Sequence, residues 1–317
     1  EKTLEQHSAE ELASQGIQAV YKTKITNLPS IGYIPTDKPE GLTLLADGSM
    51  ALISDNDFTQ GGFSEVSLGI ITFDDEGNQF DPSNKDGGVN IGNWPVHGLF
   101  MPDAIATYQV DGFDYIVTAN EGDGRDYDGF SDEDRVADLT LDPEAFPDAA
   151  TLQLEENLGR LKTPNTEGDI DGDGDVDRIF SYGARSFTIF DTFGNLVFDS
   201  GDDFEKTIAA EYPEYFNSSN DETGLDDRSD DKGPEPEAVA LGTIDGRTYA
   251  FIGIERFGGV FVYDITVPSE SFYVTSFNNR DFEADPESEE AGDLGPEGMV
   301  FIPASESPNR KPLLVVA

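Results

Sequence analysis

Four times along this chain a proline, an acidic residue and a small residue stand in a row and lead into an apolar run: Pro39-Glu40-Gly41, Pro102-Asp103-Ala104, Pro236-Glu237-Ala238 and Pro296-Glu297-Gly298. Proline cannot donate to a strand ladder, so within sheets it is confined to strand starts, edges and bulges. Each triplet therefore marks the start of a strand, and the residues after it read as a hairpin. Leu42–Leu45 joins Met50–Ser54 across Asp47-Gly48, Ile105–Tyr108 joins Asp114–Thr118 across Asp111-Gly112, and Ala238–Leu241 joins Thr248–Gly253 across Asp245-Gly246. Asp-Gly between two apolar runs is the pattern of a two-residue hairpin turn, which needs positive φ at both central residues. Met299–Ile302 and Leu313–Val316 make a fourth pair through a longer loop past Pro308. A fifth, divergent hairpin is expected over 183–200, with Arg185 near the position where the others have an acid.

Self-similar units of short strands are the signature of a β-propeller. A two-sheet sandwich is the competing all-β reading, but it does not call for the same triplet before each hairpin. Copies about 60 residues apart exceed the roughly 40–45 of a minimal blade. Long acidic loop insertions are therefore expected at 75–95, 122–178, 201–235 and 281–295, all rich in Asp, Gly, Asn and Pro. Residues 1–25 read as an N-terminal helical or extended segment, with Ser8-Ala-Glu-Glu11 as a capping box for a helix over 1–20. Residues 26–317 read as the propeller, and the strand-like Pro312–Ala317 reads as the point where a fragment of a longer protein stops.

The acidity restricts the partners. With 19 Lys+Arg against 65 Asp+Glu the net charge is −46, a surface that repels nucleic acid and anionic membranes. No apolar run reaches the ~18–20 residues of a transmembrane helix. Cysteine is absent, so disulfides and thiolate chemistry are excluded, and His7 and His97 fall in no zinc or triad pattern. Neither a G-x-S-x-G elbow nor a P-loop is present. Asn217-Ser-Ser219 is an N-glycosylation pattern. What remains is carboxylate chemistry with hard cations, or simply a solvated acidic surface.

Two sets of carboxylates are candidates for metal. Asp169-Ile-Asp171-Gly-Asp173-Gly174-Asp175-Val-Asp177 follows the D-x-D-x-D-G-x-x-D pattern of a calcium loop, in which alternate acids converge on the ion and glycine permits the sharp turn. Its twelfth position is Phe180 rather than Glu, so it is closer to the loops of dockerins and integrin propellers than to a complete EF-hand. The second set is the triplet acids Glu40, Asp103, Glu237 and Glu297, which begin the innermost strands and would face one another around a central channel, joined by Glu121. Such a ring needs compensation, because like charges raise each other's pKa. A divalent cation, Arg185, Lys232 and Arg256 are the available counter-charges; the alternative is that each acid caps its own turn.

Several long motifs carry a family resemblance. Asn120–Tyr127, Leu158–Leu161, Gly183–Phe187, Phe216–Ser219, Arg228–Glu237, Tyr249–Arg256 and Asn279–Phe282, in that order, resemble the choice-of-anchor I family. That family comprises secreted or surface-anchored bacterial β-propellers related to a mesenchyme-specific cell-surface glycoprotein and often described as alkaline-phosphatase-like. Glu40–Phe58 is similar to the esterase-like phytase domain, another propeller. The resemblance implies a seven-bladed propeller, of which this chain supplies part, and an extracellular, cell-surface or periplasmic location. It also implies two functions as expectations. One is a calcium-binding surface module whose partners are divalent cations and an extracellular matrix or surface component. The other is a calcium-dependent phosphoester hydrolase; the resemblance supplies no catalytic residues for it, and Glu237, Arg185, Lys232 and Arg256 are the candidates taken from the acid ring and its counter-charges.

Overall fold

The computed structural model describes residues 38–44, 50–55, 70–73 and 77–317, with the backbone alone at 38–44, 50–55 and 70. The expected helix over 1–20, His7 and the Asp47-Gly48 turn lie outside the described residues. Among those described, strands dominate and helices are few, in keeping with the all-β reading. No helix among them is long and apolar enough to cross a membrane.

In chain order, β1 (Lys38–Leu44) pairs with β2 (Met50–Asp55), β3 (Ile70–Thr72) with β4 (Val96–Leu99), and β5 (Ala104–Val110) with β6 (Phe113–Ala119), all antiparallel. Next comes an insertion with a hairpin, β7 (Asp126–Tyr127) and β8 (Phe130–Ser131), and a second pair, β9 (Glu133–Arg135) and β10 (Lys162–Pro164), that brackets the short helix α1 (Ala149–Leu152). β11 (Ile179–Tyr182) then joins β4 in parallel. β12 (Phe187–Asp191) joins β6, and β13 (Leu196–Asp199) joins β12. After helix α2 (Asp203–Glu211), four strands run as a sequential antiparallel meander: β14 (Pro236–Ile244), β15 (Arg247–Ile254), β16 (Val260–Asp264) and β17 (Phe272–Phe277). β18 (Met299–Ile302) and β19 (Leu313–Val316) form the last pair.

The four expected hairpins are present. Asp111 and Gly112 have φ 52° and 85°, and Asp245 and Gly246 have 51° and 81°, the doubly positive turn that Asp-Gly favours. The fifth hairpin is a correction. β12 and β13 are not a unit of their own but the third and fourth strands of the sheet that β5 and β6 begin, giving the order β5-β6-β12-β13. Arg185 therefore precedes a third strand, and its likeness to the triplet acids is lost. The two four-stranded sheets touch through their first strands: β14 lies between β5 and β18, and β5 lies between β14 and β1. No sheet closes on itself among the described residues.

The insertions carry packed apolar residues as well as acidic surface. Within 201–235, α2 sends Phe204 and Ile208 from one face into the main core, where they meet Phe187, Phe216, Phe261 and Tyr263. Full burial of such a side chain contributes about 1.5–3 kcal/mol. The 75–95 and 122–178 insertions build a core of their own around Phe73, Phe80, Val96, Leu158, Leu161 and Ile179. Their apolar residues are too widely spaced for a periodic signal, so a polar loop is all the composition reveals.

One crossing of backbones positions the functional region. The Asn120-Glu121-Gly122 bend at the end of β6 passes directly over Gly183-Ala184, with Asn120 N–H on the Ser186 carbonyl at 3.0 Å. A Cβ on Gly122 (φ 80°) would overlap the Gly183 backbone, and one on Gly183 (φ 68°) would overlap the Glu121 carbonyl. Gly122→Ala is therefore expected to cost at least ~3 kcal/mol in chemical denaturation. Gly112→Ala has a similar φ of 85° but open space around it, and should cost only about 1 kcal/mol.

Candidate functional site

The repeated triplet has a structural meaning. In β14 the register shifts between Pro236 and Ala238, leaving Glu237 as an extra residue opposite β15, and β1 shifts in the same way between Pro39 and Gly41. Ahead of β5, the Asp103 N–H bonds to the Ala119 carbonyl although Ala104 is the partner of Ala119. Ahead of β18, the N–H groups of Glu297 and Gly298 both reach the Ala317 carbonyl, at 3.0 and 3.2 Å. In β1 and β14 the acid is therefore the extra residue of a β-bulge, a device that re-aims a side chain out of the pleat, and at Asp103 and Glu297 the acid stands just ahead of its strand with its N–H on the facing strand.

Two of the four acids are brought together. Asp103 and Glu237 share a hydrogen bond, and with Glu121 they offer carboxylate oxygens that all lie within 4.8 Å of one another. Glu297 is exposed and outside this group, and the side chain of Glu40 is not described. Burial, the hydrogen bond to Asp103 and repulsion from Glu121 push Glu237 up to about 10. Burial pushes Glu121 up to about 8, with Lys232 pulling against it and Glu235 adding to it. Oxygens at this spacing suit an oxygen-seeking cation with ligands at about 2.3–2.6 Å. Asp103, Glu121 and Glu237 are the residues that would hold it.

Beside this cluster is a second set of charges that the sequence reading only half identified. Glu235, inside Pro234-Glu235-Pro236, has 0% exposure. One oxygen takes Arg228 Nε at 2.9 Å and its Nη2 at 2.5 Å; the other takes Lys232 Nζ at 2.9 Å and Arg256 Nε at 3.3 Å. Burial opposes its ionisation, but Lys232, Arg228 and Arg256 hold it down at about 2. The three cations also reach Glu121, Asp123 (3.5 Å), Asp231 (2.9 Å) and Glu255 (3.3 Å). Lys232, Arg256, Arg228 and Glu255 thus lie together around Glu235, which is the member that sequence reasoning passed over. The signal available was the charge-rich run ahead of Glu237, in which Pro-Glu-Pro-Glu contains two acids rather than one.

Arg185 does not face this group. Its guanidinium donates to Glu205 Oε1 (2.5 Å) and to the carbonyls of Asp81 (2.8 Å), Ser229 (2.8 Å) and Asp231 (2.9 Å), and it lies over the Phe80 ring. It fixes the backbone just ahead of Lys232, away from the Asp103, Glu121 and Glu237 carboxylates. Asn217 is fully buried with its amide nitrogen on Glu205 and Ser229, so the glycosylation pattern is inaccessible in the folded chain. His97 meets Thr72, and its ring lies 5.6 Å from that of Phe180, tilted by 42°. A further acidic cluster, Asp81, Asp86 and Asp226, also escaped sequence reasoning, since its members come from distant loops.

The 169–177 loop adopts a tight turn. Asp169 accepts the N–H groups of Gly172 and Gly174, at 2.7 and 3.1 Å, and Asp177 accepts that of Ile170 at 2.7 Å. Oxygens of Asp169, Asp171 and Asp177 lie within 4.8 Å of one another, and Asp177 and Asp175 form a like group with Asp142. Repulsion from Asp173 raises Asp171, and burial with repulsion from Asp173 raises Asp175 to about 6. Phe180, at the twelfth position, is buried in β11.

The raised groups fix a pH dependence. Glu121 and Glu237 keep their protons in the folded state well above the ~4.3 of an unfolded glutamate, as do Asp81 (about 7) and Asp226 (about 8) above ~3.9. Between those values the folded chain binds more protons than the unfolded one, so these groups make stability fall as pH rises. Glu235 acts in the opposite sense: its contribution is present above about pH 4.5 and is lost as pH falls through about 2. Thermal melts in chelator should therefore give the highest Tm near pH 5 and a steady decline towards pH 8.5.

Comparison with known proteins agrees with the motifs above. Residues 6–268 match the choice-of-anchor I domain. The chain is 31% identical to Gigasin-3a of Magallana gigas over 191 residues, 52% of this chain and 62% of that protein. It is 26% identical to the mesenchyme-specific cell surface glycoprotein of Strongylocentrotus purpuratus over 228 residues, 60% of this chain and 29% of that protein. It thus spans less than two thirds of either relative. No solved structure matches it. With most of its length matched, the chain belongs to the choice-of-anchor I domain family.

Proposed function

We propose that this chain is part of a secreted or cell-surface β-propeller that binds calcium and serves as a binding or structural module. Four strand pairs opened by the same Pro-acid-small triplet, two of them with the same bulge, support blades, as do two four-stranded sheets touching through their first strands. Family membership supports a surface module, as does a relative named for the cell surface. Calcium would be held by Asp103, Glu121 and Glu237 at the strand starts and by the Asp169–Asp177 loop.

The observation that carries this reading is the balance of charge. Among the described residues, the seven acids Asp103, Glu121, Asp123, Asp231, Glu235, Glu237 and Glu255 meet four cations, Lys232, Arg228, Arg256 and, at Asp231, Lys162, and each of those four is already paired with at least two carboxylates. A site with spare carboxyl groups and no spare cation offers ligands to a metal, whose charge can displace the protons of Glu121 and Glu237, and offers phosphate no free cation. The phosphoester hydrolase reading requires basic groups free to grip the substrate, and Arg185, Lys232 and Arg256 are all engaged.

Saturating calcium, at about a hundredfold over Kd, stabilises a folded state by ~2.7 kcal/mol. A Tm rise on the order of 5–10 °C over chelator-treated protein is therefore expected. Glu237→Gln should lose part of that rise, and Asp171→Asn/Asp173→Asn a further part. Equal Tm with calcium and with chelator would count against the module. Turnover of p-nitrophenyl phosphate in calcium, abolished by Glu237→Gln, would replace it with the hydrolase.

A further inference from the structure

We infer that Asp81, Asp86 and Asp226 hold a calcium ion, with the side-chain oxygens of Asn217 and Ser218 turned to it as further ligands, at a site separate from the two proposed above. Oxygens of the three carboxylates lie within 4.8 Å of one another, although Asp81 and Asp86 come from the 75–95 insertion and Asp226 from the 201–235 insertion. Asp81 and Asp226 are buried and Asp86 is half-buried. Among the described residues none of the three forms an ion pair. Arg185 is committed to Glu205 and to the Asp81 carbonyl rather than to its carboxylate. Buried acids gathered without a counter-charge are relieved only by protons or by a cation.

Unused oxygens beside the acids favour the cation. Five buried side-chain polar atoms among the described residues lack a hydrogen-bond partner, and three of them are Asn217 Oδ1, Ser218 Oγ and Asp227 Oδ2. These three stand on two neighbouring segments: the Asp226 N–H meets the Phe216 carbonyl at 2.7 Å and the Arg228 N–H meets that of Asn217 at 2.8 Å. Asn217 and Ser218 are both 0% exposed, so surface water does not reach them. The Asn217 amide is pinned by its nitrogen. Nδ2 donates to Ser229 Oγ at 2.8 Å, and that hydroxyl donates to Asp226 Oδ1. Nδ2 also donates to Glu205 Oε1 at 2.9 Å, while Glu205 Oε2 takes the Asp81 N–H at 2.9 Å. Both amide hydrogens are used, which fixes the amide this way round and holds it between Asp226 and Asp81 with its oxygen left over. A buried acceptor without a donor is costly, and native structures keep few of them. Carboxylates, an amide carbonyl and a hydroxyl are oxygen donors of the kind that calcium gathers, about six to eight at roughly 2.3–2.6 Å. Magnesium demands a near-ideal octahedron, which oxygens from separate loops meet poorly. Calcium here would tie the 75–95 insertion to the segment whose Ser229 and Asp231 carbonyls Arg185 holds.

The test is isothermal titration with calcium chloride on a chain carrying Glu237→Gln and Asp171→Asn/Asp173→Asn, so that the other two sites add no heat. Asp86→Asn and, separately, Asp226→Asn are then introduced, and near-UV circular dichroism checks folding. The expected result is one calcium ion bound per chain in the background protein and at least a tenfold loss of affinity in each variant. Thermal melts separate ligation from packing. Replacing an unneutralised acid by its amide should leave Tm in chelator unchanged or higher, while the rise in Tm on adding calcium shrinks. A background chain that takes up no calcium would overturn the inference and leave the acids to their protons. So would unchanged calcium affinity in a folded Asp86→Asn protein. Should Asp226→Asn not fold, Asp86→Asn decides alone, because its half-buried side chain accepts only the Gly88 N–H, at 3.3 Å. With Glu237, Asp171 and Asp173 already replaced, the outcome does not depend on whether the two other sites bind calcium.

Discussion

A carboxylate with no access to water stays ionised only if cations reach it, and Glu235 has three. Losing hydration is costly for a single charge, and a buried ion pair offsets that cost only when its geometry is good and its remaining lone pairs are satisfied. Glu235 meets both conditions, with each oxygen shared between donors. Because its partners lie at Arg228, Lys232 and Arg256, and Lys232 continues to Glu121, one residue ties the 228–236 segment to the ends of β6 and β15. The strand starts that carry Asp103 and Glu237 are set beside it. The remaining site is an excess of acids around a neutralised knot.

That arrangement depends on features outside the charges. Arg185 holds the carbonyls of Ser229 and Asp231 and so aims Lys232, while the crossing of Gly122 over Gly183 places Glu121. Both belong to the region between β6 and β12, where the long insertion leaves and returns. The insertion's own core, with Phe80 under the Arg185 guanidinium, gives that region its rigidity. Acidic side chains on the surface and apolar residues beneath are two layers of the same segment, and composition registers mostly the first.

What the sequence made legible was local. The Pro-acid-small triplets marked strand starts because proline and a bulge both belong there, and Asp111-Gly112 and Asp245-Gly246 marked turns because their backbone angles need those residues. What escaped was long-range. Nothing in Phe187–Asp191 announces that it pairs with β6 across the whole insertion, so β12 and β13 read as a separate unit. Arg185 looked like a free cation near a triplet position, and only the fold reveals Glu205 and three carbonyls around it. Glu235 was hidden by its neighbour: of the two acids in Pro-Glu-Pro-Glu, the second matched the repeat and drew the attention, while the first is the one that is buried.

Calcium retention separates carboxylates that gather to hold a cation from carboxylates that merely coat a chain with charge. Elemental analysis of the protein after purification in calcium and exhaustive dialysis against metal-free buffer measures it most directly. Retention of at least one calcium ion per chain, lowered by Glu237→Gln, is the expected result. Metal content at background, with no change in the variant, would contradict calcium binding and return the acidity to a solvated surface.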